Sequence, residues 1–374
     1  MEAQVMKAKL LCLGARTPEG LKESLLDIQN PGRQKRAGLG YGVYADVEDE
    51  KGTEFTVNID AFSLFAPTSP IVMDGDPNNL RFFEIETGEQ LGTGTVVKKP
   101  TWINEKLTSG KTAGQVIQPH SPNDLTTLIS SGTRCSLFDT GEQCLFCSLD
   151  GKGVVPKSEE DIEEALGIAL SRNSEYRLIS SSSFSRNPRE VLRKIETIKK
   201  RFPNLVIALE TVPFGDKRMY QEAKTAGADA MMMNLECYSD EARRRLCPGK
   251  SKIDKKEYFD GFEESVKVFG PSNTTSCLIV GMEPVESSMA GVRALIEAGV
   301  VPEVIPWRAN LPEGTSLPNW MLPTNPIDLV RVQVVAETEM SKKELLPNAG
   351  CLRCGMCQIA QRNFRRKIEF VKLG

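Results

Sequence analysis

The 374-residue sequence contains a single histidine, His120, and this scarcity removes His-based catalytic triads and His-rich zinc sites from consideration. Any catalysis is left to cysteine and cofactor chemistry. Aromatic residues make up only 6% of the chain and basic residues are not clustered, so with a formal net charge of -3 the composition argues against general affinity for nucleic acid or anionic membranes. No run approaches the roughly 18 apolar residues of a membrane span. The opening MEAQVMKAKLLCLG has no signal-type cleavage site, so the expectation is a cytoplasmic protein without a membrane partner. Also lacking are the Gly-rich dinucleotide fingerprint and a cobalamin-binding segment with its ligand histidine.

Cysteine is plentiful: the chain has ten, six of them in two tight groups, which reads as metal ligation in a reducing compartment rather than as a disulfide framework. The first group, in RCSLFDTGEQCLFC, places Cys135, Cys144 and Cys147 in a C-x8-C-x2-C arrangement. Soft thiolates so grouped hold iron or zinc, and three of them on a four-iron cluster leave one iron open. The second group, Cys351, Cys354 and Cys357, has the C-x2-C-x2-C spacing of half a bacterial ferredoxin without its fourth cysteine. A fourth ligand has to come from a distance, with Cys12, Cys237, Cys247 and Cys277 as the remaining thiols, or from substrate. Zinc is the competing occupant.

Two patterns divide the chain. Residues 1–118 carry a helix over Glu19 to Gln29 and alternating strand-like runs at Tyr41 to Val47, Glu54 to Ile59 and Gly92 to Lys98, which predicts a β-rich N-terminal domain. From residue 119 to 324 apolar runs alternate with amphipathic helical stretches. Strands are predicted at Leu125 to Ser130, Arg177 to Ser182, Leu205 to Val212, Ala228 to Glu236, Thr275 to Met282 and Val300 to Trp307. The helices between them are Ser158 to Ser171, Pro188 to Phe202, Lys217 to Ala226, Lys255 to Phe269 and Pro284 to Ala298. Six βα units predict an α/β fold with a parallel sheet covered by helices, open or curved into a partial (β/α)6 TIM-type barrel. Polar residues at the predicted strand ends favour the barrel: Ser180 to Ser183, Glu210, Asn234, Glu236, Glu283 and Arg308. Residues 325–374 predict a helical extension holding the second cysteine group, then a basic tail read as a solvated face.

A cysteine trio with Phe146 before its last member, following the first strand of a βα series, resembles the radical S-adenosylmethionine superfamily. The usual spacing there is C-x3-C-x2-C, so the eight-residue gap between Cys135 and Cys144 departs from it. ALETVPFGDKRMYQEAKTAGADAMMMNLE, RRRLCPGKS, CLIVGMEP and IPWRANLPEGTSL are similar in content and order to the branch containing biotin synthase and its hydrogenase-maturase relative. The likeness runs from about Leu125 to Leu317.

This resemblance implies a [4Fe-4S] cluster on Cys135, Cys144 and Cys147, with S-adenosylmethionine on the fourth iron. It places Ser181 and Ser182 at the strand end that contacts the methionine amino group, where the family's glycines and glutamate are absent here. It also places Asn234 and Glu236 near the ribose. Glu210, Arg308 and the run Arg243 to Arg245 are weaker candidates, with at least two of those arginines expected to be solvated.

The resulting expectation is an enzyme that cleaves S-adenosylmethionine to a 5'-deoxyadenosyl radical for C–H activation, with an auxiliary iron-sulfur cluster on Cys351, Cys354 and Cys357. Sulfur insertion stands first, with methyl transfer or carbon-skeleton rearrangement as alternatives. An iron-sulfur electron carrier or a zinc-stabilised binding protein is the non-catalytic alternative. Expected partners are a small-molecule or peptide substrate and a reductant such as ferredoxin or flavodoxin.

Overall fold

The computed structural model describes residues 2–29, 42–129, 133–147, 149, 154–182, 187–309 and 321–360. Outside them lie Tyr41, Ser130, Ser183, the part of IPWRANLPEGTSL after Ala309, and the basic tail from Arg362.

Helices α1 (Glu2–Cys12) and α2 (Glu19–Gln29) precede an antiparallel five-stranded sheet. Its strands are β1 (Val43–Asp49), β2 (Glu54–Ile59), β3 (Ile71–Asp76), β4 (Asn79–Glu84) and β5 (Gln90–Val96), in the order β2-β1-β5-β4-β3. Alternation puts Leu80 and Phe82 of β4 in the core while Asn79 and Arg81 face outward, as a half-buried sheet requires. Two of these strands, β3 and β4, were not anticipated. Nor was α1, whose buried Leu10, Leu11 and Cys12 pack it between this sheet and the helix Pro326–Lys342.

The second sheet has seven strands, and it builds a curled half-barrel. After the short helix α3 (Ala113–Val116) come β6 (Gln118–Pro119) and β7 (Asp124–Leu128), which pair antiparallel at one edge. Then follow α4 (Glu159–Arg172), β8 (Arg177–Ser181), α5 (Pro188–Arg201), β9 (Ile207–Glu210), α6 (Arg218–Ala226) and β10 (Ala230–Met232). The series closes with α7 (Asp240–Leu246), α8 (Lys255–Phe269), β11 (Thr274–Val280), α9 (Val285–Glu297), β12 (Val301–Pro306) and α10 (Pro326–Lys342). Strands β7 to β12 are all parallel and adjacent in chain order, so the predicted partial (β/α)6 barrel is what the chain forms.

The local reasons are visible in the caps. Ser158 and Asp161 close a reciprocal capping box on α4, Asn187 with Pro188 starts α5, and Asp254 starts α8. Helix α6 stops at Gly227, whose φ of 103° lies in the left-handed region that glycine accepts without strain. Every residue of β11 is buried, which explains why it reads as an unbroken apolar run.

The C-terminal segment returns beneath the half-barrel. A short 3-10 turn, Gly350–Arg353, sits against the starts of β8 to β10, and Gly350 lies so close to Met232 that a Cβ there would meet its sulfur at 2.3 Å. A cavity of about 150 Å³ remains between this turn and the strand starts, its lining mixing the polar Asp124, Arg177 and Arg353 with the apolar Ile179, Ala208 and Ala230.

Candidate active site

The loop from Cys135 to Cys147 leaves the C-terminal end of β7. Its long first spacing folds back on itself: Cys135 leads into a 3-10 turn, Ser136–Phe138, and the Glu142 N–H then donates to the Leu137 carbonyl at 2.9 Å. The extra residues thus form a closed side loop. They do not separate the cysteines, because Cys135 N–H donates to the Leu149 carbonyl at 3.2 Å and Cys147 N–H to the Cys144 carbonyl at 3.0 Å.

A second turn, following α7, clamps this loop from outside. Leu145 N–H donates to Leu246 O at 2.8 Å, Gly249 N–H donates to Glu142 O at 3.0 Å, and Lys252 pairs with Glu142. Arg243 supports the clamp from behind. It is buried, donates to the carbonyls of Lys250 and Ile253, and lies over the Tyr258 ring, whereas Arg244 and Arg245 are exposed as expected.

Cys144 is buried and its thiol is hydrogen-bonded to that of Cys247, which in turn contacts Cys237; that bond and burial push the Cys144 thiol well up. Burial, reinforced by the charges of Cys144 and Cys135, raises Cys147 as well. All ten cysteines are free thiols. Among the described residues no three His, Cys, Asp or Glu side chains converge tightly enough to hold a single metal ion. A four-iron cluster spreads its thiolate ligands around a larger body, and three adjacent thiols on one loop, with a buried ammonium close by, are a donor set that fits it.

That ammonium is Lys250. Its Nζ donates to Glu236 Oε1, and although burial opposes its charge, Glu236, Cys144 and Tyr258 together outweigh burial and push it well up. Burial pushes the Glu236 carboxyl up, an effect that Lys250 partly offsets. Glu236 is one of three non-glycine residues among those described with positive φ, at 68°, a conformation that turns its side chain out of the strand direction at the end of β10.

The predicted polar residues meet on the same end of the sheet, but most are already engaged. Asn234 donates to Glu210 Oε1 at 2.8 Å and accepts from Cys277 N–H at 3.1 Å, bracing β9, β10 and β11. Ser182 donates its hydroxyl to Glu210 O at 3.1 Å, and the Ser181 carbonyl accepts from Ile129 N–H at 2.9 Å. Glu283 caps the start of α7 through the N–H groups of Tyr238 and Ser239.

Arg308 departs from the suggested cofactor or substrate role. It is buried and turned toward the N-terminal sheet, donating to Leu11 O at 2.9 Å and to both the side chain and the carbonyl of Asn58. Its physical role is to tie β12 to α1 and β2. Sequence reasoning missed Lys250, and offered Cys247 only as a spare thiol for the second cysteine group, not as the partner of Cys144. Only their position in LCPGKS, directly after an amphipathic turn, could have marked them.

The second cysteine group lies at the other end of the strands. Cys351 packs with Ile179, Ala208, Ala230, Met232 and Ala349, facing the barrel interior from below. Cys354 and Cys357 lie between the floor and the N-terminal sheet, with Tyr44 and Val97 against Cys354. Burial raises all three thiols. Cys357 is pushed up to about 11, with the Asn58 amide and the Arg308 charge working against burial.

No protein-family model matches the chain. In sequence it is similar to bacteriochlorophyllide c C-7(1)-hydroxylase of Chlorobaculum limnaeum, at 22% identity over 301 residues that cover 68% of this chain and 74% of that one. In structure it is similar to a radical SAM methyltransferase from Sphaerobacter thermophilus, with TM-score 0.46, 12% identity, and 78% and 81% of the two chains covered. A second similar structure is coproporphyrinogen III oxidase from Escherichia coli, described as a radical SAM enzyme, with TM-score 0.36 and 15% identity. That match covers 46% of this chain and spans 43% of the oxidase, less than half its length.

Proposed function

We propose that this chain, a member of the radical S-adenosylmethionine superfamily, activates a C–H bond of a small-molecule or peptide substrate held in the half-barrel. The observation that carries this reading is the clamped loop of Cys135, Cys144 and Cys147 beside the buried Lys250–Glu236 pair, at the strand ends where barrel enzymes assemble their sites.

When bound there, a four-iron cluster with S-adenosylmethionine supplies one-electron cleavage of the sulfonium and a 5'-deoxyadenosyl radical. Cys135, Cys144 and Cys147 would hold the cluster. The Lys250 ammonium, now matched by Glu236, would offer its charge to a cofactor carboxylate. Asn234 and Glu236 would face the ribose hydroxyls, with Asn234 fixed in orientation by Glu210 and Cys277 N–H. The carbonyls and hydroxyls of Ser181 and Ser182 are acceptors for an ammonium group. The helices packed around the sheet would limit access of water to a reactive radical. A small electron-transfer protein of the ferredoxin or flavodoxin kind is the proposed reductant.

Sulfur insertion is the proposed outcome, with Cys351, Cys354 and Cys357 carrying an auxiliary cluster; the placement of Cys351 against the barrel interior supports it. Hydroxylation is the second reading, favoured by the sequence similarity to a hydroxylase. Anaerobic turnover on a candidate substrate, followed by product mass, separates them. A gain of sulfur supports the first and a gain of oxygen the second, while a gain of methylene or an unchanged mass overturns both.

A further inference from the structure

Two sulfurs of the candidate site have hydrogen-bond donors of different kinds. Leu149 N–H donates to Cys147 Sγ at 3.4 Å, a backbone donor on the same loop. Cys144 has a side-chain partner instead, the thiol of Cys247, and Cys247 is bonded in turn to the thiol of Cys237. All three cysteines lie in one buried cluster with Leu246, Ile279 and Trp307. Neither Cys237 nor Cys247 belongs to one of the two cysteine groups of the sequence.

Backbone geometry holds this row together. Leu145 N–H donates to Leu246 O at 2.8 Å; Cys144 precedes the first residue of that bond and Cys247 follows the second. Cys247 ends α7, where its N–H donates to Arg243 O at 2.8 Å and its carbonyl accepts from Ser251 N–H at 2.8 Å. Cys237 lies beyond the end of β10, its N–H on Leu235 O at 2.9 Å. Three separate segments thus bring their sulfurs into line. A buried cysteine commonly packs as a small apolar side chain, but packing alone does not call for a row of sulfurs that ends on a cluster ligand.

The charged side chains that act on Cys144 are Lys250 and Glu236, which pull in opposite directions and are paired with each other. An iron-bound Cys144 carries no proton, so its bond to Cys247 persists on loading only with Cys247 as the donor. We propose that Cys247 is a positioning residue for the cluster: its S–H, backed by Cys237, donates to the Cys144 thiolate and raises the cluster's reduction potential. This rests on the cluster reading above. A donor to a ligand sulfur stabilises the more negative, reduced state more than the oxidised one, and hydrogen bonds to the sulfurs are among the factors that set such potentials. S–H is a weak donor in water, and a low-dielectric pocket strengthens the same bond. The effect eases the one-electron reduction that a ferredoxin or flavodoxin has to supply.

The test uses the full chain, reconstituted anaerobically with iron and sulfide and titrated with reductant while its paramagnetic signal is followed. The part of the signal missing from Cys135→Ala identifies the cluster of the first cysteine group. Cys247→Ala should keep that cluster and shift its midpoint potential downward, and Cys247→Ser, which keeps a hydroxyl donor, should bring the potential back toward the wild-type value. A packing role would leave the potential in place. After exchange into deuterium oxide, pulsed electron paramagnetic resonance of the reduced wild type should show a strongly coupled deuteron that Cys247→Ala lacks. An unchanged potential or an unchanged deuteron coupling in a loaded Cys247→Ala chain overturns the proposal and leaves the cluster standing. So does a loaded wild type without any coupled deuteron, whether or not the variant folds. A wild-type signal that Cys135→Ala leaves intact overturns the cluster reading itself.

Discussion

Gly249 sits where the two turns of the candidate site touch, and Gly249→Ala probes that contact directly. Its φ of -70° and ψ of -43° suit alanine, so the substitution carries no backbone penalty. Its Cβ would meet Leu137 Cδ2 at 2.4 Å, Glu142 O at 2.8 Å and Leu137 Cδ1 at 2.9 Å. The Leu137 methyl groups end a side chain that can rotate, but Glu142 O is backbone and accepts the Gly249 N–H, so it does not move without shifting the cysteine loop. Overpacking of this kind costs about 1–3 kcal/mol. Denaturant unfolding should show that loss, and iron content after anaerobic reconstitution should fall with it. Gly215→Ala is the control, because nothing lies within 4 Å of a Cβ there. A Gly249→Ala chain as stable and as fully loaded as the wild type would refute the clamp.

Lys250→Met strands Glu236 without its partner, and truncating one side of a buried pair costs about 3 kcal/mol or more. The double variant with Glu236→Gln should recover part of that loss in the unfolding transition. Independent losses that simply add would show that the pair is not coupled. Acid should destabilise the start of α4. Burial pushes Asp161 up, but hydrogen bonds from Lys111, Ser109 and the Ser158 N–H outweigh it and lower the carboxyl from 3.8 to about 2. The folded state therefore binds fewer protons than the unfolded one, so this stability is present above pH ~4 and is lost as pH falls toward ~2, amounting to about 2 kcal/mol. Asp161→Asn should flatten that part of the pH dependence of unfolding; an unchanged profile would remove Asp161 as its source.

The half-barrel was legible because strands buried on both faces read as apolar runs and their covering helices show a clear apolar stripe, as β11 and α5 illustrate. Short or largely charged elements left no such trace. Helix α7 is DEARRRL and β6 has two residues, so neither offers a period, and β10 is shorter than its apolar run. The cysteine groups were visible as spacing. Their neighbours were not: Lys250 meets Glu236 across a helix and a turn, and His120 meets Cys351 only because β7 opens the barrel and the C-terminal turn closes it. Arg308 misled for the same reason. Its place at a strand end pointed to the site, while the partner that claims it, Asn58, lies 250 residues away.

The central claim is that Cys144, with Cys135 and Cys147, seats a cluster that cleaves S-adenosylmethionine. Its most direct test is the yield of 5'-deoxyadenosine from anaerobically reconstituted, reduced protein, compared between the wild type and Cys144→Ala. The wild type should form it, and the variant should form none while keeping a cooperative unfolding transition. Equal yields from the two, or no 5'-deoxyadenosine from a wild type carrying its full iron and sulfide, would contradict the account.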